Sequence, residues 1–339
     1  MKILALAGTI IAYFFAIIGL VGLFYLDWIS GIFLIVTAFL MAAMFAVLLR
    51  IIFKSIREKK YWTTIRQIVV TICAIFGFFV TFTIGFVVYN NYISPAKLAN
   101  VTLQNDQWQK VVFVKMSHIA TEKFFEKKKN SLQNLNNENY TFLAEGVGTG
   151  TTDSETRINE IMGFDFTNLG YAQIAEIFGF TEQKNTLYDS ISPEKIKNVD
   201  LTLDEIFSLV WETNPQQETM TESQNLEESL QLIASLSDHQ RNIMREILTS
   251  LLNMMIKMTD YQIAQIEKNR DTSPIFHFLY VILNERNKPV VDYIISHPDE
   301  NIAVVYGALH FPGILEELQK KDASWKIVSV EPFLPYSQD

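Results

Sequence analysis

Residues 302–321 read IAVVYGALHFPGILEELQKK. Ile302 to Tyr306 make a short, unbroken apolar run rich in β-branched side chains, the pattern of a strand buried on both faces of a largely parallel sheet. Gly307-Ala308-Leu309-His310 follows, and then Pro312–Lys321 with helical spacing, its proline suited to an opening turn. Three other runs repeat the first half of this pattern: Val111–Met116 (VVFVKM), Tyr140–Ala144 (YTFLA) and Trp325–Val330 (WKIVSV). Helical patterns, Thr121–Leu135 and Glu155–Phe178, follow the first two. Strands alternating with helices predict an α/β domain with a mixed, largely parallel sheet flanked by helices.

Between these runs lies a mostly helical middle. Leu203–Trp211, Leu226–Leu236 and Asp238–Ile266 carry apolar residues at three- and four-residue spacing, as amphipathic helices do. Glu212–Gln224 (ETNPQQETMTESQ) is polar and reads as a flexible loop or lid. Met254, Met255 and Met258 read as core filler, and Lys127–Lys129 as the solvated face of the helix after the first strand.

Toward the N-terminus the character changes. Three apolar runs, Ile3 to Leu26, Ile29 to Leu49 and Ile68 to Tyr89, each reach the ~20 residues that cross a bilayer as a helix. The first is too long for a signal peptide, and a second hydrophobic run follows almost at once. Asp27-Trp28 joins the first two runs without a basic residue, whereas Arg50, Lys54, Arg57, Lys59, Lys60 and Arg66 crowd the next connection. By the positive-inside rule that connection is cytoplasmic. The expected organisation is a three-span anchor at 1–90, its N-terminus in the cytoplasm, and an extracytoplasmic domain, periplasmic or extracellular, at 91–339. Trp28, Trp62 and Tyr89 suit the two interfaces, and the spans hold no ionisable residue at mid-depth that would mark an ion path.

Charge divides along the same line. The chain of 339 residues carries −9 overall. Its first 90 residues hold seven basic and two acidic groups (+5), and the remainder holds 21 basic and 35 acidic (−14). A single soluble domain is excluded, and so is a disulfide-stapled module, since Cys73 is the one cysteine. Nucleic acid is not an expected partner, because the acidic piece repels phosphate; the bilayer is.

The chemistry concentrates at strand ends. His118 follows Val111–Met116, His310 follows Ile302–Tyr306, and a helix begins just after each. In an open α/β sheet that is the carboxyl edge where ligands bind. Glu145 ends Tyr140–Ala144 in the same way, and a carboxylate there is costly unless hydrated, paired or bound to a cation. Two imidazoles and a carboxylate suit a divalent transition metal with open positions for water. Glu145 is equally suited to a helix-terminus or turn partner. Arg286 (Asn284-Glu285-Arg286-Asn287) follows the apolar helical run Ile275–Leu283; it reads either as a surface ion pair or as a stabiliser of developing oxyanion charge. His239, His277 and His297 read as structural.

VVFVKMSHIATEKFF, FLAEGVG, LNERNK and VVYGALHFPGILEEL together resemble the Tiki/TraB (PrgY, GumN) superfamily over most of residues 108–335. Its pattern is two GxxH motifs, an acidic residue after the second strand, and an arginine upstream of the second GxxH. The resemblance points to His118, Glu145, Arg286, Gly307 and His310. Lys115 stands where the first motif has glycine. The resemblance implies a membrane-tethered, divalent-metal-dependent protease of the Tiki kind, with a peptide or protein substrate. In it His118 and His310 would hold Mn²⁺ or Co²⁺, with Zn²⁺ an alternative. Glu145 would complete the site or act as base, and Arg286 would stabilise the oxyanion. Two other activities stay open: a non-catalytic peptide-binding or sequestering module of the pheromone-shutdown type, and a metal-free esterase using histidine and glutamate.

Overall fold

The structure, a computed structural model, describes residues 11, 14–18, 61–151, 154, 156, 171–213, 233 and 235–337. They belong to two compact units, Met1–Ile93 with Asp238–Ile247, and Ser94–Ser237 with Leu248–Asp339.

In the first unit α1 (Tyr61–Val88) runs on into a five-residue π turn, Tyr89–Ile93. Its stretch Gln67–Ile93 has a mean hydropathy of 2.4 across its apolar window, of which 6% is buried, and is long and apolar enough to cross a membrane. The third expected span coincides with it. The other two, Ile3 to Leu26 and Ile29 to Leu49, lie outside the described residues apart from 11 and 14–18, as does most of the basic connection. Within this unit Asn91 Nδ2 donates to both the main-chain oxygen and Oε2 of Glu246, each at 2.9 Å, and the Tyr92 hydroxyl donates to Glu246 Oε2 at 3.1 Å.

The second unit is built on a six-stranded sheet in the order β6-β4-β7-β2-β1-β8. Its strands are β1 (Asn100–Gln104), β2 (Lys110–Met116), β4 (Thr141–Ala144), β6 (Ile196–Lys197), β7 (Ile302–Gly307) and β8 (Lys326–Glu331). β7 lies parallel to both β2 and β4, and β4 parallel to β6, while β1 runs antiparallel to β2 and β8. A separate pair, β3 (Ile119–Ala120) and β5 (Thr181–Glu182), is antiparallel. The sheet is thus mixed and mostly parallel, with helices against it.

Alternation along β2 and β7 explains their unbroken apolar composition. Val111, Phe113, Ile302, Val304 and Tyr306 pack on one face with Val290, Val291 and Ile294 of α8 (Asn287–Ser296) and Phe311, Ile314 and Leu318 of α9 (His310–Lys321). Val112, Val114, Ala303 and Val305 pack on the other with Leu132 and Leu135 of α2 (Glu122–Asn137). Thr121 caps α2 by accepting from Phe124 N at 3.3 Å, and Glu122 sits in its first turn, where a carboxylate opposes the positive end of the helix. β2, β4 and β7 therefore end together at one edge.

The remaining described helices are α3 (Tyr171–Phe178), α4 (Leu203–Thr213), α5 (Asp238–Lys257), α6 (Thr259–Asn269) and α7 (Pro274–Tyr280), which continues as a π turn, Val281–Glu285. The expected helix Asp238–Ile266 is broken at Met258, whose backbone leaves the helical region. Residues 214–224 of the expected loop, 226–232 and 234, and most of 155–170 lie outside the described residues.

Three expectations need correction. Strand β8 is not buried on two faces: it is an edge strand with all six residues exposed. A run of β-branched residues has the same composition whether one or both sides are covered. Met255 and Met258 are exposed and Met254 is half-buried, so they do not fill the core. Lys128 is not solvated: it is 0% exposed, although Lys127 and Lys129 flank it on the helix. Its ammonium donates to Leu98 O at 3.2 Å and Asn100 Oδ1 at 2.7 Å and lies 4.3 Å from the Phe333 ring centre, so it ties α2 to the start of β1.

Burial pushes the Lys128 pKa down from 10.5 to about 7, with Glu331 opposing and Lys115 adding to the fall. Between those two values the unfolded chain binds a proton that the folded chain does not, so this group's contribution to stability rises with pH across that window. Below about 7 its full cost is present. Urea unfolding of the solubilised chain should therefore show the stability of the wild type rising relative to Lys128→Met between pH 7 and 9, by at most about 1.4 kcal/mol per pH unit.

Candidate functional site

The sheet edge gathers one carboxylate from each of two strand ends. Glu145 follows β4, and its main-chain N–H donates to Val305 O at 3.0 Å, which seats it beside the end of β7. Asp200 lies four residues beyond the start of the two-residue strand β6. Its Oδ2 accepts from Gly146 N at 3.2 Å, and Asn198 Nδ2 donates to Gly146 O at 2.7 Å, so the two loops are laced together.

Arg286 joins them. Its Nε and Nη2 donate to the two oxygens of Asp200 at 2.8 and 2.5 Å, a bidentate fork, and Nη2 also donates to Glu145 Oε1 at 3.2 Å. Arg286 is 4% exposed and the Asp200 side chain 0%, so this is a buried ion triad and not a surface pair. The two carboxylates raise the guanidinium pKa against the opposing effect of its burial.

Glu145 Oε2 accepts from the Gly307 N–H at 2.5 Å. A Cβ added at Gly307 would stand 3.3 Å from that oxygen, a tight contact that glycine avoids. Burial acts to raise the Glu145 pKa. The hydrogen bond from His310 and the charges of His310, Arg286 and His118 outweigh it and hold the carboxyl well below the usual range. These partners keep Glu145 in its carboxylate form.

His310 opens α9 and is 3% exposed. Asn287 Nδ2 donates to Leu283 O at 2.5 Å, which leaves Asn287 Oδ1 as the acceptor for His310 Nδ1–H at 2.8 Å. Gly313 makes room for this amide: a Cβ there would collide with it. With Nδ1–H engaged by that amide, Nε2 is the nitrogen turned toward Glu145, 3.5 Å from its Oε1. A lone pair facing a carboxylate oxygen is repulsive unless a proton, a water hydrogen or a cation lies between them.

Two phenols border the same groups. Burial and the neighbouring carboxylates push the pKa of both Tyr306 and Tyr188 up, and neither hydroxyl has a hydrogen-bond partner among the described residues. Buried polar atoms without a protein partner are where water or a ligand is expected.

Of the residues expected from sequence, Glu145, Arg286, Gly307 and His310 meet here. His118 does not. After β2 the chain turns out of the sheet into β3, and the exposed His118 ring stacks on Tyr171 with centres 4.8 Å apart. Its charge acts on Glu145, but no hydrogen bond joins them among the described residues. Lys115 lies over the Phe311 ring at 3.9 Å. His277 and His297 face the main-chain oxygens of Leu209 and Tyr293 at 3.5 and 2.8 Å.

Asp200, Asn287, Tyr306 and Tyr188 are site residues that the sequence pattern does not single out. Asn287 adjoins Arg286, and Asp200 follows a strand as Glu145 does, but two residues are too few to mark that strand.

No group of three or more His, Cys, Asp or Glu side chains is arranged to hold a metal among the described residues. The donors that meet are two, His310 Nε2 and Glu145; they fit a cation whose other positions are filled by water, with His118 outside the set. Compared with known proteins, the chain matches no family model, no curated sequence and no solved structure.

Removing the cation from the triad should cost more than an exposed pair would. Arg286→Met, which leaves two buried carboxylates together, is expected to lower stability by about 3–5 kcal/mol in thermal or urea unfolding. Arg286→Lys should recover part of that loss, because an ammonium restores the charge without the bidentate fork.

Proposed function

We propose that this chain is a hydrolase, anchored in a membrane by its apolar N-terminal part and acting on peptide bonds with Glu145, His310 and Arg286. The observation that carries the reading is the His310–Glu145 pair: an imidazole whose Nε2 is turned toward an ionised carboxylate, with a buried guanidinium alongside. A water seated alongside Nε2 and Oε1 would be polarised by both and, with the imidazole neutral, would lose its proton to it. Arg286 holds Glu145 ionised and supplies positive charge where an oxyanion would develop. Tyr188 and Tyr306, on both of which the charge of Glu145 acts, have hydroxyls without a partner among the described residues.

A divalent cation held by His310 and Glu145 would supply a more acidic water at neutral pH. Mn²⁺ or Co²⁺ is the proposed ion, and the carboxylate and imidazole suit Zn²⁺ as well. The basic residues between 50 and 66 favour an orientation with this domain outside the cytoplasm.

A second reading is favoured by the full occupancy of Glu145: each oxygen already accepts a hydrogen bond from the protein, as in a structural strut. On that reading the domain binds peptides and does not turn them over.

The solubilised chain, incubated with a peptide mixture with and without Mn²⁺, separates these readings by mass spectrometry. Glu145→Gln and His310→Ala should each lower cleavage by about 10²–10⁴-fold with the fold retained, and His118→Ala by less. Intact peptides in every condition would make it a binding module. Cleavage that survives chelator would remove the metal and keep the imidazole and carboxylate.

A further inference from the structure

In an acidic domain, three lysines converge on one cavity. It has a volume of about 440 Å³ and includes Lys97, Lys115 and Lys257 in its walls, within the size range of small-molecule sites. Facing them are two carboxylates. Glu316 is engaged by Lys320 at 2.8 Å, and Asp260 lies close enough to act on Lys115. The balance in the cavity is positive although the chain after residue 90 carries 21 basic against 35 acidic residues.

Lys115 is the least expected of the three. It stands near the end of β2, half-buried, with its ammonium 3.9 Å from the Phe311 ring centre. An ammonium has three N–H donors, and none of them meets an acceptor among the described residues. Partial burial of a cation whose donors face open space is costly, and an anion entering that space would relieve the cost. The rest of the wall is apolar: Ile256, Leu315, Phe311 and Pro312. Thr259 and Gln319 add a hydroxyl and an amide.

We propose that this cavity takes the C-terminal carboxylate of a peptide, with an apolar last side chain against Ile256 and Leu315. This assignment rests on the peptide-hydrolase reading for the substrate it names. Ala308 and Phe311, both in the wall, bracket Leu309 and His310. A peptide end seated here therefore lies against the junction that carries the site's imidazole. Thr259 and Gln319 can pair with its last amide group. The lysine at position 115 is then a specificity residue, selecting chain ends over chain interiors.

The test uses the full chain in detergent and a labelled tetrapeptide ending in leucine, prepared as the free acid and as the C-terminal amide. Fluorescence anisotropy should show the acid binding at least about tenfold tighter than the amide. Lys115→Met should abolish that preference. Lys257→Gln, on an exposed part of the wall, should reduce the preference partially and provides a second variant if Lys115→Met does not fold. Equal affinities for acid and amide in the wild type, or an undiminished preference in folded Lys115→Met, would overturn the proposal. Mass spectrometry of the same mixtures reports the other reading separately: peptides that bind through the carboxylate and emerge intact keep the subsite and remove the hydrolase.

Discussion

The Arg286 guanidinium is the point on which this edge of the domain depends. Asp200 and Glu145 come from loops after β6 and β4, and both are withdrawn from water, where an ionised carboxylate without a partner is several kcal/mol less stable. One planar cation meets both, through a bidentate fork to Asp200 and a third bond to Glu145. Glu145 in turn accepts from the Gly307 N–H and so fixes the end of β7. Residues 145, 200, 286 and 307, distant in the chain, are thus held to one place by charge, where the apolar core alone would leave the strand ends free to shift.

The fold is legible in the sequence where burial on both sides imposes a continuous apolar run. β2, β4 and β7 stand out for that reason, and their shared direction places Glu145 and His310 at one edge. β1 is not legible, because Asn100 and Gln104 interrupt the pattern and the strand is held by neighbours on both sides more than by its own composition. β8 misleads in the opposite sense: Ile327, Val328 and Val330 have the side chains of an interior strand and sit exposed on an edge. Lys128 fails for a related reason. A lysine is read as solvated by default, and only Leu98 O, Asn100 Oδ1 and the Phe333 ring, none of them near it in sequence, make its burial tolerable.

The site divides in the same way. The rule that polar residues just past an apolar strand collect at the sheet edge finds Glu145 and His310, and it would find Asp200 were β6 longer. It fails for His118 because the rule assumes that the chain stays over the edge it has reached. Ser117 ends that course: its hydroxyl donates to Ile119 O at 2.7 Å, and the chain passes directly into β3, which pairs with β5 and not with the main sheet. His118 is carried outward onto Tyr171. A motif's histidine can be present while the turn after it decides where its side chain goes.

Arg286 and Asn287 are adjacent, and the segment before them is a π turn, Val281–Glu285. Such a turn holds one more residue than an α-helical one, and it rotates the helix after it relative to the helix before it. Here it leads at once into the two side chains that set the site's charges: the guanidinium that keeps Glu145 ionised and the amide that keeps the His310 proton on Nδ1. Neither group needs to touch a substrate to matter. A shift of this segment would release the carboxylate and the imidazole together, so the ionisation of Glu145 and the orientation of His310 are not independent properties. Both depend on where this one segment is placed, and it is fixed by Asp200 on one side and by the close approach that Gly313 permits on the other.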